Sequence, residues 1–191
     1  MIAAKSQHNF IFWCFFAALI FLNSCQGPLY KIAPIPQASP IEAGNSASNS
    51  VIEITAAALL DDDKVFERFD ANLVLAGIVA VEVNLINRTN QTINPKFELH
   101  DAEGRNLSQL ESKKKLDRVM KFEGVRAYSK LGKQETLEQL EAIAIPKKMS
   151  LPAQQQKRGV LFFNAKRDAA QVQGLRLTVK GIKEPLTIIL N

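Results

Sequence analysis

Cysteine is scarce in this chain, with Cys14 and Cys25 alone among 191 residues. Two thiols supply no disulfide framework, and there is no CxxC pair or spaced His/Cys set to hold zinc or run dithiol exchange. Histidine is equally rare, with His8 and His100. A Ser/His/Asp relay would have to be built on His100, yet no nucleophile-elbow motif accompanies it, and HExxH and phosphate-loop patterns are missing too. Charge of one sign is also lacking: 24 Lys and Arg face 19 Asp and Glu, a net +5. A nucleic-acid surface would show basic residues interleaved with stacking aromatics, so neither a nucleic-acid partner nor a cofactor is expected.

What is present begins with a polarised N-terminus. Lys5 precedes Phe10 to Leu22, an uncharged apolar run. It is shorter than the roughly 20 residues a spanning helix needs, but suits the core of a signal peptide. Leu22-Asn23-Ser24-Cys25 follows, with an aliphatic residue three before the cysteine and a small one directly before it.

This tetrapeptide resembles the lipobox of bacterial lipoproteins. The resemblance implies that a signal peptidase reads Leu22, Asn23 and Ser24, removes residues 1–24, and leaves an acylated Cys25 as the first mature residue. Each buried methylene contributes about 0.8 kcal/mol, so two or three chains make attachment lasting. Removal of Lys5 lowers the net charge by one. Gln26, where an Asp would imply inner-membrane retention, implies the outer membrane facing the periplasm in a cell with two membranes. The alternative, an uncleaved signal anchor, leaves Cys25 without a role.

Residues 25–50 carry Pro28, Pro34, Pro36 and Pro40 and end in a Gly, Asn and Ser tail. Such a stretch reads as a tether that buries no core, reaching about 78 Å extended or about 28 Å as coil.

Residues 51–191 remain for a folded domain. Val51 to Leu60 suits a first strand, and Asp61-Asp62-Asp63 reads as a helix start with acids at its positive end, since it lacks the alternating ligands of a calcium loop. Val79, Val81, Val83 and Leu85 alternate with Ala80, Glu82, Asn84 and Ile86, the pattern of a strand with one core face and one solvent face. Phe97 and Leu99 repeat it, and Asn87, Asn90 and Asn106 head Asn-x-Ser/Thr triplets read here as turn chemistry.

Ser108 with Glu111, and Thr136 with Gln139, are spaced as capping boxes, so a helical insertion is expected at about residues 108–145, ended by Pro146. Between Leu110 and Ser150 stand ten basic and six acidic residues, a balance that reads as a solvated helical face before a lipid or polyanion patch. Val160 to Phe163, Leu175 to Val179 and Leu186 to Leu190 supply further strands. The expectation is a mainly β fold, an antiparallel β-sandwich with a helical insertion. The Asn-Arg-Thr strand end and the later Gly159 to Phe163 strand are similar to bacterial immunoglobulin-like domains, which implies that sandwich topology.

The expected function is non-catalytic: a membrane-anchored envelope lipoprotein whose domain binds or supports an envelope protein partner. A carrier of a cell-wall or lipid ligand is a second reading. A glycan hydrolase using two of Glu123, Glu135, Glu138 and Glu141 is a third, requiring two acids about 5–10 Å apart in a cleft.

Overall fold

A computed structural model describes residues 27–36, 39–165, 169 and 172–190. Its strands are β1 (Asn45–Ser48), β2 (Ile52–Leu59), β3 (Ile78–Asn87), β4 (Lys96–His100), β5 (Asn106–Gln109), β6 (Gln156–Asn164), β7 (Arg176–Lys180) and β8 (Leu186–Ile189). The helices are α1 (Asp62–Phe69), α2 (Ser112–Phe122) and α3 (Lys130–Ile143).

The fold is mainly β. The strands form one antiparallel sheet in the order β1-β2-β3-β6-β5-β4-β7-β8. Its two edges meet through side chains: Asn45 Nδ2 donates to the Ile189 carbonyl at 2.7 Å, and Asn49 Nδ2 to the Glu184 carbonyl at 3.0 Å. The sheet is therefore nearly closed and barrel-like, in place of the two separate sheets expected of an immunoglobulin-like sandwich. The reason is β5, which pairs with β4 on one side and β6 on the other and so joins what would have been two halves.

Register places Val79, Val81, Val83 and Leu85 opposite Phe163, Leu161, Gly159 and Lys157 of β6. The first three, with Leu99, Leu177 and Ile188, face the buried interior, as their alternation predicts. The other face departs from expectation. Ala80 and Glu82 are also buried, because α1, α2 and α3 cover the outside of the sheet there.

Local chemistry explains the helices. Asp61 caps α1, its carboxylate accepting the Lys64 amide at 3.0 Å, with Asp62 and Asp63 in the first turn and Arg68 in the last, as the acid run predicts. The other two starts differ from the expected boxes. Ser108 lies in β5, α2 begins after Glu111 without a side-chain cap, and α3 begins after Ser129, six residues before the expected box. Beyond α3, Ala144 bridges Val160 in parallel and the Ile145 amide donates to Val160 O at 2.9 Å, returning the insertion to β6. A Cβ at Gly159 would lie 2.8 Å from the Ile143 carbonyl, so only glycine admits this approach.

The expected tether is corrected most. Tyr30 and Ile35 belong to the hydrophobic core, and β1 pairs with β2 across Asn45–Ser48. Proline content describes the average of the stretch, while its apolar side chains decide where it goes.

Candidate functional site

The N-terminal segment enters the domain through a slot between α1 and α3. Every amide from Leu29 to Ala33 is taken. Leu29 donates to Gly132 O at 3.0 Å, Tyr30 to Thr136 Oγ1 at 3.0 Å, Lys31 to Asp70 Oδ2 at 3.2 Å, Ile32 to Gln139 Oε1 at 3.0 Å and Ala33 to Arg68 O at 2.8 Å. Thr136 and Gln139, the expected capping box, thus serve the docked strap. Their spacing puts both on one helical face, and that face receives an extended chain instead of starting the helix.

Gly132 sets how close the strap comes. A Cβ there would stand 2.7 Å from the Gly27 carbonyl, so a bare backbone in the first turn of α3 is required. Tyr30 then points inward, its hydroxyl donating to Glu123 Oε2 at 2.5 Å, while Glu123 Oε1 accepts the Asn72 amide at 3.1 Å. Burial first, and then the Glu123 hydrogen bond and charge, raise the Tyr30 hydroxyl well above its ordinary range.

Beneath the strap lies Lys115, 2% exposed, its ammonium 3.6 Å from the centre of the Phe162 ring. Phe69 meets the same ring edge-on at 5.7 Å. Burial pushes the Lys115 ammonium down to about 7, opposed by the charge of Glu141. The cavity bounded by Tyr30, Ile32, Phe69, Lys115 and Phe162 is about 10 Å³, space for about one water. A larger concavity of about 230 Å³ is lined by Lys96, Lys147 and Lys148 beside Asn94 and Ser150.

A buried ionic group ties the outer face together. Glu82 Oε1 accepts Arg158 Nη2 at 2.7 Å and Glu82 Oε2 accepts Arg68 Nη1 at 2.6 Å, while Arg158 also donates to the Ser39 carbonyl. Two guanidinium groups on one carboxylate satisfy its acceptor sites, which is what permits burial.

The lipobox residues Leu22, Asn23, Ser24 and Cys25 lie outside the described residues. His100 sits in β4 opposite Asn106 and Arg176. Of the four glutamates, Glu123 is held by Tyr30 and Asn72, Glu138 accepts Gln134 Nε2 at 3.0 Å, and Glu135, Glu138 and Glu141 follow one another at three-residue spacing along α3. Asn87, head of a glycan-like triplet, is fully buried, its amide donating to the Gln91, Leu151 and Pro152 carbonyls, in keeping with turn chemistry. Among the described residues no helix is long and apolar enough to cross a membrane, and no group of three or more His, Cys, Asp or Glu could hold a metal ion.

Sequence reasoning missed Tyr30, Lys115 and Gly132. A signal for the first existed: Leu29, Tyr30, Ile32 and Ile35 are four large apolar residues in seven positions, more than a spacer uses. Compared with protein-family models, curated proteins and solved structures, the chain matches none.

Proposed function

We propose that this chain is a non-catalytic bacterial envelope lipoprotein, held on the membrane by lipid on Cys25, whose β domain binds or supports another envelope component. The observation that carries the reading is Leu22-Asn23-Ser24-Cys25 at the end of an uncharged apolar run. The docked strap supports it, because a chain fastened to the domain from Leu29 onward transmits an anchor at residue 25 directly to the fold. Gln26 after the cysteine favours the outer membrane where a cell has two. Surface recognition is favoured over an enclosed ligand, since the apolar cavity beside Lys115 has space for about one water.

The test is intact-mass analysis of the membrane-extracted protein beside a Cys25→Ala variant. The expected mass is residues 25–191 plus acyl groups, lost in the variant. An unacylated mass retaining residues 1–24 overturns the anchor. Crosslinking in cells followed by capture is expected to recover an envelope partner, and repeated recovery of none counts against the binding role.

A further inference from the structure

We propose that the corner formed by the end of α2, the connection and the first turn of α3, residues 121–133, is a membrane-contact surface that rests on an anionic bilayer when the chain is anchored. This rests on the lipid anchor proposed above. Three large apolar side chains are exposed within this short stretch: Phe122 at 50%, Tyr128 at 44% and Leu131 at 67%. Lys121, Arg126 and Lys130 are exposed among them, while Lys133, over the Tyr128 ring at 5.1 Å, is paired with Asp117 at 2.6 Å and leaves the first three as the cations of the surface. The one acid of the stretch, Glu123, is already engaged by the Tyr30 hydroxyl and the Asn72 amide. Aromatic and aliphatic side chains among cationic ones match the bilayer interface, where the rings and methyl groups enter the headgroup layer and the cations meet lipid phosphates.

The place of this surface beside the anchor turns it toward a membrane. Leu29 is bonded to Gly132, the residue next to Leu131, and the Gly27 carbonyl lies against the same glycine. Only Gln26, Gly27 and Pro28 separate Cys25 from Leu29. Four residue steps reach at most about 14 Å, and the headgroup layer of one leaflet is itself about 5–8 Å thick. A lipid on Cys25 therefore draws the start of α3 to the bilayer surface, and the exposed apolar and basic side chains beside it come too.

The test uses the protein expressed from its full sequence and extracted from membranes; its one tryptophan, Trp13, leaves with residues 1–24, and Trp13→Phe keeps any uncleaved precursor silent. Leu131→Trp reports on the proposed surface. Ile189→Trp, on exposed β8 across the strand order from β6, is the comparison. Each protein is mass-analysed and reconstituted into vesicles of phosphatidylcholine with brominated phosphatidylglycerol. Expected are an acylated mass, a blue-shifted emission that loses most of its intensity to bromine at position 131, and solvent-like emission at position 189. Adding Arg126→Glu and Lys130→Glu is expected to restore most of the intensity at position 131. An acylated protein with equal quenching at the two positions, or none at 131, overturns this proposal and leaves the anchor standing. A blue shift at 131 without bromine quenching means that protein covers the surface, which also overturns it. An unacylated mass removes the anchor and this proposal together.

Discussion

Thr136 and Tyr30 form a two-bond ring: the threonine hydroxyl accepts the Tyr30 amide at 3.0 Å and donates to the Tyr30 carbonyl at 3.2 Å. One side chain thus satisfies both backbone groups of a buried residue that belongs to no helix or strand. Thr136 is itself fully buried, so water has no route to replace it.

Thr136→Val keeps the shape and removes both bonds. Leaving a buried amide and carbonyl unsatisfied is expected to cost about 1–3 kcal/mol, measured by urea unfolding, with Thr136→Ser recovering most of the loss. A change confined to the strap would instead appear as faster proteolysis near Tyr30 at unaltered midpoint.

Lys115 makes stability depend on pH. Its folded value lies near 7, below the ordinary 10.5, so between the two the unfolded chain holds a proton that the folded chain lacks. Stability from this group rises as pH climbs from about 7 towards 10.5, and the full cost of charging is present below 7. Unfolding at pH 6 and pH 9 should show the difference, and Lys115→Met should abolish it while stabilising the protein at pH 6 by about 1–3 kcal/mol. Tyr30, raised above its ordinary 10, adds an opposite slope only above that pH, beyond the pH 9 measurement.

Gly132→Ala sets two effects against each other. Alanine favours the helix by about 1 kcal/mol, but its Cβ meets the Gly27 carbonyl at 2.7 Å. The carbonyl is backbone and has to move, so the Leu29 amide is expected to lose protection from hydrogen exchange while β3 amides keep theirs. Unchanged protection at Leu29 would show that the strap start adapts without parting from the helix.

Glu82→Gln leaves Arg158 and Arg68 facing a neutral amide inside the fold. Breaking a buried pair by removing one partner typically costs about 3–5 kcal/mol, and thermal unfolding is the direct measure. Glu82 sits on the strand face that alternation assigns to solvent, so a small effect would mean that water reaches this face.

The parts of the fold legible in the sequence are those with a local period. Val79 to Leu85, Phe97 with Leu99, and Leu175 to Val179 declare strands because side chains alternate wherever a strand is half-buried. Closure was not legible, since it depends on the pairing of β5 with β6, as of Gln109 with Phe163, that no nearby residues announce. The two boxes depart for different reasons: Ser108 is drawn into β5 by pairing with β6, while Thr136 and Gln139 show that a hydroxyl three residues before an amide suits receiving a neighbouring chain as well as capping a helix. Of the candidate site, the sequence displays Thr136 and Gln139, but only as a capping box. Tyr30 was hidden by the prolines around it, and Lys115 by its place in a lysine run that reads as solvated.

The Asn45 and Asn49 bonds to Ile189 and Glu184 close the sheet with two amide side chains where a ladder would use a row of backbone pairs. That seam has no backbone ladder among the described residues, so thermal breathing is expected to begin there, well away from the clamped strap. Each edge strand nevertheless shields the other from recruiting a foreign strand, which makes the seam a safeguard against aggregation as long as both asparagines hold.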